Sequence, residues 1–136
     1  GAAMAPAAAK TLCQFFNDTA AQPEDFDLIL TGDLGFVGSR LFERLMQAQG
    51  CPIAGRHNDC GLMIYDRLRQ DVHAGGSGCG CSFILPQIAC QRLKNVLFMA
   101  TGALMSPTSV QQGESIPGIA HLLHLSAFAG KEEEVR

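Results

Sequence analysis

Asp33 lies in Thr31-Gly32-Asp33-Leu34-Gly35, a glycine-flanked turn between the apolar run Asp27 to Leu30 and an amphipathic segment. Where a strand opens into a helix, α/β proteins commonly place ligand contacts, so Asp33 and Gly32 are the first candidates for binding chemistry. Asp33 also has a plain structural use, as the cap of a helix beginning near Gly35. A second cluster is HAGGSGCGCS, His73 to Ser82, with glycines at 75, 76, 78 and 80. Glycine frees the backbone to take positive φ or to lie close to a ligand. Gly76, Gly78 and Gly80 resemble a phosphate cradle, but neither a lysine-threonine end nor a full GxGxxG is present, so close packing of the loop competes with ligand binding. Gly76 and Gly78 are expected to need conformations closed to other residues. His73, just before the loop, has a side chain able to hydrogen-bond an anion, or to be satisfied by backbone.

Other groupings carry less. His57, Asp59 and Cys60 form a metal-like trio, yet they crowd into one short stretch where Asn58 and Asp59 suit turn chemistry. His121 and His124 lie three apart on an expected strand, hence on opposite faces, and do not share a metal. The six cysteines, Cys13, Cys51, Cys60, Cys79, Cys81 and Cys90, fit neither a disulfide frame nor a zinc site; Cys79 and Cys81 are too close for a zinc knuckle. They are read as reduced, largely buried thiols. A helix dipole would acidify Cys79 and Cys81, and burial opposes it.

The elements that hold these residues follow from periodicity. Leu12, Phe15, Phe16 and Thr19 recur at helical spacing within about Ala5 to Ala20, with Pro6 suited to a first turn. Asp27 to Leu30 reads as a buried strand, and Val37, Leu41, Phe42, Leu45 and Met46 mark a helix closed by Gly50. Gly61 to Tyr65 is a second strand candidate. A helix follows from about Cys79 to Leu93, in which Pro86 forces either a later start or a bend. Val96 to Thr101 and Ile119 to Leu125 are the remaining strands. Alternating strands and helices specify an α/β fold.

The chain has 136 residues, 47% of them hydrophobic, with a net charge of −3. That suits one globular domain, here residues 1–130, with the charged KEEEVR at 131–136 as a solvated tail. Lysine and arginine cluster on no segment of the sequence, so nucleic acid is not an expected partner. No apolar run reaches the roughly 18 residues of a spanning helix. GAAMAPAAA at the start lacks the basic region of a signal peptide.

Five stretches carry a family resemblance: MAPAAAKTL, FDLILTGDLGFVGS, HNDCGLMIYD, HAGGSGCGCS and ATGALMSPTSVQQGESIPGIAH. Together they resemble the stage V sporulation protein AD family of endospore-forming bacteria, which has the fold of thiolases and ketoacyl-synthases. The resemblance implies the C-terminal half of that fold, a mixed β-sheet with helices packed on its faces. It also implies that a strand preceding Met4 lies at the centre of the sheet, so that Asp27 to Leu30 and Val96 to Thr101 flank a gap filled by that strand or a partner chain.

In the catalytic relatives a histidine stands where this chain has Gly32 or Asp33, a second donor stands near Ser77, and a cysteine stands near Gly102 and Ala103. None of those catalytic groups is retained here, and an aspartate would oppose an oxyanion. The resemblance therefore implies a non-enzymatic protein that binds dipicolinic acid during its movement into the forespore, with Gly32, Asp33, His73, Gly76, Ser77 and Gly78 as the ligand-binding set. Asp33 would need a bridging calcium ion or a protonated ligand, since dipicolinate is a dianion. No cofactor is expected. The expected partners are other stage V sporulation A proteins at the spore inner membrane, an N-terminal half and a second copy in a homodimer. The expected location is the cytoplasmic face of the forespore or spore inner membrane, held peripherally. Two other readings remain open: a condensing enzyme with a different residue set, and a structural half completing a dimer.

Overall fold

A computed structural model of the chain describes residues 2–70, 76–102 and 106–127. The elements are α1 (Met4–Thr19), a 3-10 turn (Pro23–Asp25), β1 (Leu28–Thr31), α2 (Gly35–Ala48), β2 (His57–Asp59), α3 (Cys60–Ile64), α4 (Ser77–Ala89), β3 (Asn95–Ala100), α5 (Pro107–Gln111) and β4 (His121–Ser126). The four strands form one sheet in the order β2-β1-β3-β4. β1 runs parallel to β2 and to β3, and β4 closes the sheet antiparallel to β3. The α/β class and the mixed sheet are as the sequence implies.

Alternation along β1 and β3 sends side chains to two cores, one on each face of the sheet. Ile29, Leu97 and Met99 meet α1 and α2 through Leu12, Phe16, Phe42 and Met46. Leu30, Val96 and Phe98 meet α3 and α4 through Cys60 and Ile84. α1 buries Met4, Ala5, Ala8, Ala9, Leu12 and Phe16, a stripe at helical spacing. Burying each of the larger of these side chains contributes about 1.5 to 3 kcal/mol.

Several expectations are corrected. Leu28 pairs with Val96, and the register continues to Thr31 with Met99, so no gap separates the two strands. Each is apolar on both faces, and each satisfies the other's backbone hydrogen-bonding groups directly. Gly61 to Tyr65 is not a strand: Cys60–Ile64 is helical, and the second strand is the polar triplet His57–Asp59 just before it. α4 begins at Ser77, earlier than expected, and ends at Ala89. Pro86 stands inside it near the C-terminal end, where its missing N–H removes a single bond from the ladder, that to the Ser82 carbonyl. β4 begins at His121, and His121 and His124 lie on opposite faces as expected. Among the described residues no helix is long and apolar enough to cross a membrane.

Candidate functional site

The turn after β1 is held by two side chains from neighbouring strands. Thr101, just past β3 and buried, accepts hydrogen bonds from the N–H groups of Gly32 (3.1 Å) and Asp33 (2.9 Å), and its hydroxyl donates to Asp33 Oδ1 at 3.0 Å. Asp59, at the end of β2 and fully buried, accepts from the N–H groups of Leu34 (2.9 Å) and Gly35 (2.9 Å). Four consecutive peptide hydrogens, from Gly32 to Gly35, therefore all point at oxygen atoms of this chain.

The local backbone explains why. Leu34 is right-handed, with φ −65°, and Gly35 is left-handed, with φ 66°. Successive N–H groups in that pair of conformations converge into a small anion-binding nest, and glycine takes the positive φ without strain. The anion in this nest is the Asp59 carboxylate. Asp59 also accepts from Gly61 N–H at 3.0 Å, which caps α3, and from the Thr31 hydroxyl at 2.5 Å. One carboxylate thus ties β1, α2 and α3 together. Four hydrogen bonds offset the cost of burying its charge.

A histidine extends the network outward. His57 Nε2 lies 3.0 Å from Thr31 Oγ1, and its Nδ1 lies 3.0 Å from Glu43 Oε1 on α2. Its ring packs edge-on against Phe42, with centroids 5.0 Å apart. The side chain of His57 is 1% exposed and that of Glu43 37%. Burial pushes the His57 pKa down, and the Glu43 carboxylate only partly pulls it back. Hydrogen-bond geometry opposes burial. Thr31 gives its single hydroxyl hydrogen to Asp59, so the two His57 contacts are both complete only in the imidazolium, the form that burial disfavours.

The sequence-derived candidates separate on this frame. Gly32 and Asp33 are together, with Asp33 half-buried and one carboxylate oxygen committed to Thr101. The role of Asp33 as cap of α2 is corrected, because Asp59 supplies that carboxylate from another strand. Gly76 precedes α4 with φ −162°, extended backbone open to any residue, and Gly78 lies in the first turn of α4. Among the described residues a Cβ at either would meet nothing within 4 Å, and neither has a positive φ, so the expected conformational demand at Gly76 and Gly78 is corrected. The glycine that matters sterically is Gly80, where a Cβ would stand 2.5 Å from the Phe98 ring. Ser77 opens α4; its side chain, His73, Gly75, Ala103 and the 131–136 tail lie outside the described residues.

The His57, Asp59 and Cys60 trio divides as well. Asn58 and Asp59 bond to backbone, Asp59 N–H donating to Asn58 Oδ1 at 2.8 Å, while His57 turns to Glu43. Among the described residues no group of three or more histidine, cysteine or acidic side chains is arranged to hold a metal ion. The cysteines are free, but only Cys60 is buried; Cys81 and Cys90 are exposed, which corrects the expectation of largely buried thiols. Burial, with Cys79 alongside, pushes the Cys60 thiol up to about 12, so it is no nucleophile at neutral pH.

Sequence reasoning missed Thr101 as an anchor and Asp59 as the hub. The legible signal was a lone buried-type threonine ending an apolar strand and an aspartate just before an apolar run. Only the pairing of β1 with both neighbours shows that the two converge on one turn.

The β1 strand of this α/β sheet thus ends in a turn whose four peptide N–H groups are all bonded to side chains of neighbouring strands. The sequence profile of the stage V sporulation protein AD (SpoVAD) family matches residues 1–126, and the chain belongs to that family. Stage V sporulation protein AD of Bacillus subtilis (strain 168) is 50% identical over 127 residues, covering 89% of this chain and 37% of that protein. The chain thus spans little more than a third of the length of that relative.

Proposed function

We propose that this chain contributes to a non-catalytic protein of sporulation that binds dipicolinic acid during its uptake into the forespore. One observation carries the non-catalytic reading: the N–H groups of Gly32, Asp33, Leu34 and Gly35 all donate to Thr101 or Asp59. An acyl-transfer site needs donors aimed at the oxygen that becomes negative. Here the turn offers a carboxylate instead.

A planar dianion needs donors or cations, and Asp33 enters such a site only through a bridging cation. Dipicolinate chelates calcium through its two carboxylates and ring nitrogen. The calcium ion then arrives with the ligand, and the uncommitted oxygen of Asp33 completes its coordination, in keeping with oxygen-rich calcium sites. The remaining proposed contacts are Gly32, Gly76 and Gly78, with His73 and the Ser77 side chain, which lie outside the described residues. Beyond this chain, the proposal places the protein peripherally at the cytoplasmic face of the forespore or spore inner membrane. Other stage V sporulation A proteins, an N-terminal half and a second copy are its partners there.

Calorimetric titration of the intact protein with dipicolinate, paired with assays of acetyl-CoA condensation and thioester hydrolysis, tests the reading. Saturable dipicolinate binding without turnover supports it. Turnover above background that disappears on Asp33→Ala overturns it.

A further inference from the structure

The surface at the start of α2 carries cations that the proposed ligand site does not use. Phe36 holds two of them: the Arg67 guanidinium stands 4.0 Å from its ring centroid and that of Arg40 stands 5.0 Å away. The Arg67 contact draws the turn after α3 against α2. Arg44, one helical turn beyond Arg40, shares with it the wall of a groove of about 360 Å³ floored by Phe36, Val37 and Leu41. The ion pairs among the described residues are His57 with Glu43 and Arg69 with Asp66. Arg40, Arg44 and Arg67 therefore have no carboxylate partner there, in a chain whose net charge is −3.

Apolar exposure coincides with these cations. Leu68 is 97% exposed and stands between Arg67 and Arg69 at the tip of the turn, and Val37 is 60% exposed beside Phe36. A small soluble anion would engage the guanidiniums and leave Leu68 and Val37 in water. A surface with negative charge outside and hydrocarbon beneath engages both, since arginines sit at the headgroups while leucine and valine enter the interface. We infer that this face, made by Phe36, Val37, Arg40, Arg44, Arg67 and Leu68, is a docking surface for an anionic phospholipid membrane. The inference gives the peripheral location proposed above its contact surface, and it is independent of the dipicolinate reading.

Sedimentation of the intact protein with vesicles tests it, using phosphatidylcholine alone or mixed with phosphatidylglycerol. The expected result is binding only to the phosphatidylglycerol vesicles, weakening as salt screens the charges. Arg40→Gln with Arg67→Gln should lower the affinity about 25-fold, roughly fivefold per charge. Leu68→Ser should weaken binding without changing its salt dependence. Where the double variant melts early, Arg44→Gln, which leaves the Phe36 contacts intact, should still lose about fivefold. Equal binding to both vesicles, unchanged binding by these variants, or uptake of inorganic phosphate by the arginines with no vesicle binding would each overturn the inference. Dipicolinate calorimetry on the same variants separates the two proposals, because the lipid surface and the Asp33 turn share no residue.

Discussion

Thr101 and Asp33 exchange hydrogen bonds across two strand ends: the threonine hydroxyl donates to the Asp33 carboxylate at 3.0 Å and accepts the Asp33 N–H at 2.9 Å. The same oxygen also takes the Gly32 N–H. One hydroxyl thus sets both the backbone and the side chain of the turn, and the pairing of β1 with β3 brings it there.

Thr101→Val keeps the shape and removes that oxygen. The Asp33 N–H then loses its acceptor, a loss of about 1 to 3 kcal/mol for the group left unpaired, while the Gly32 N–H keeps the Met99 carbonyl at 3.1 Å. Thr101→Ser should retain most of the stability. Chemical denaturation of the three proteins checks this, and a valine variant as stable as the parent would show that the turn does not depend on Thr101.

Asp59→Asn replaces one carboxylate oxygen by an amide that cannot accept, at a site where both oxygens are used. Breaking a buried charged network of this kind costs about 3 kcal/mol or more. The start of α2 should lose protection in hydrogen exchange at Leu34 and Gly35 before the rest of the helix. Unchanged protection there would remove Asp59 from its role as hub.

His57 makes stability depend on pH. Its pKa is lowered on folding, chiefly by burial, so the unfolded chain binds the proton more readily. The contribution of neutral His57 is present above the unfolded value of about 6.5 and is lost as pH falls from there towards the folded pKa. The slope attributable to this group is at most about 1.4 kcal/mol per pH unit. His57→Gln should flatten that part of the stability profile. A parent protein that gains stability on acidification, through a gain abolished in His57→Gln, would show that the imidazolium contacts with Glu43 and Thr31 outweigh burial.

Glycines in the cysteine-rich stretch should respond in opposite ways. Gly80→Ala drives a methyl group into the buried Phe98 ring and should cost about 1 to 3 kcal/mol, as overpacking does. Gly78→Ala meets open space in a helical turn and should be neutral or stabilising by up to about 1 kcal/mol. Thermal melts distinguish the two, and equal effects would contradict the close approach of α4 to β3.

Much of this architecture was legible because the apolar spacing is regular: the stripe from Met4 to Phe16 and the runs at Leu28 and Val96 mark α1, β1 and β3. The triplet His57-Asn58-Asp59 escaped because an edge strand of three polar residues has no apolar alternation to read. Gly61 to Tyr65 misled for the opposite reason. A five-residue apolar run fits a strand or a helix equally, and the deciding feature is Asp59 accepting from Gly61 N–H, which starts α3. Asp33 was rightly placed at a strand end. The part of Asp59 at the start of α2 went unread because a carboxylate from a neighbouring strand is invisible to local spacing.

The proposed dipicolinate site depends on Asp33 and a bridging calcium ion. Calorimetric titration of the intact protein and of Asp33→Asn, with and without calcium, tests it most directly. The account predicts saturable, calcium-dependent dipicolinate binding that weakens at least about tenfold, or ~1.4 kcal/mol, in Asp33→Asn. Binding of equal strength without calcium, unaffected by Asp33→Asn, would contradict it.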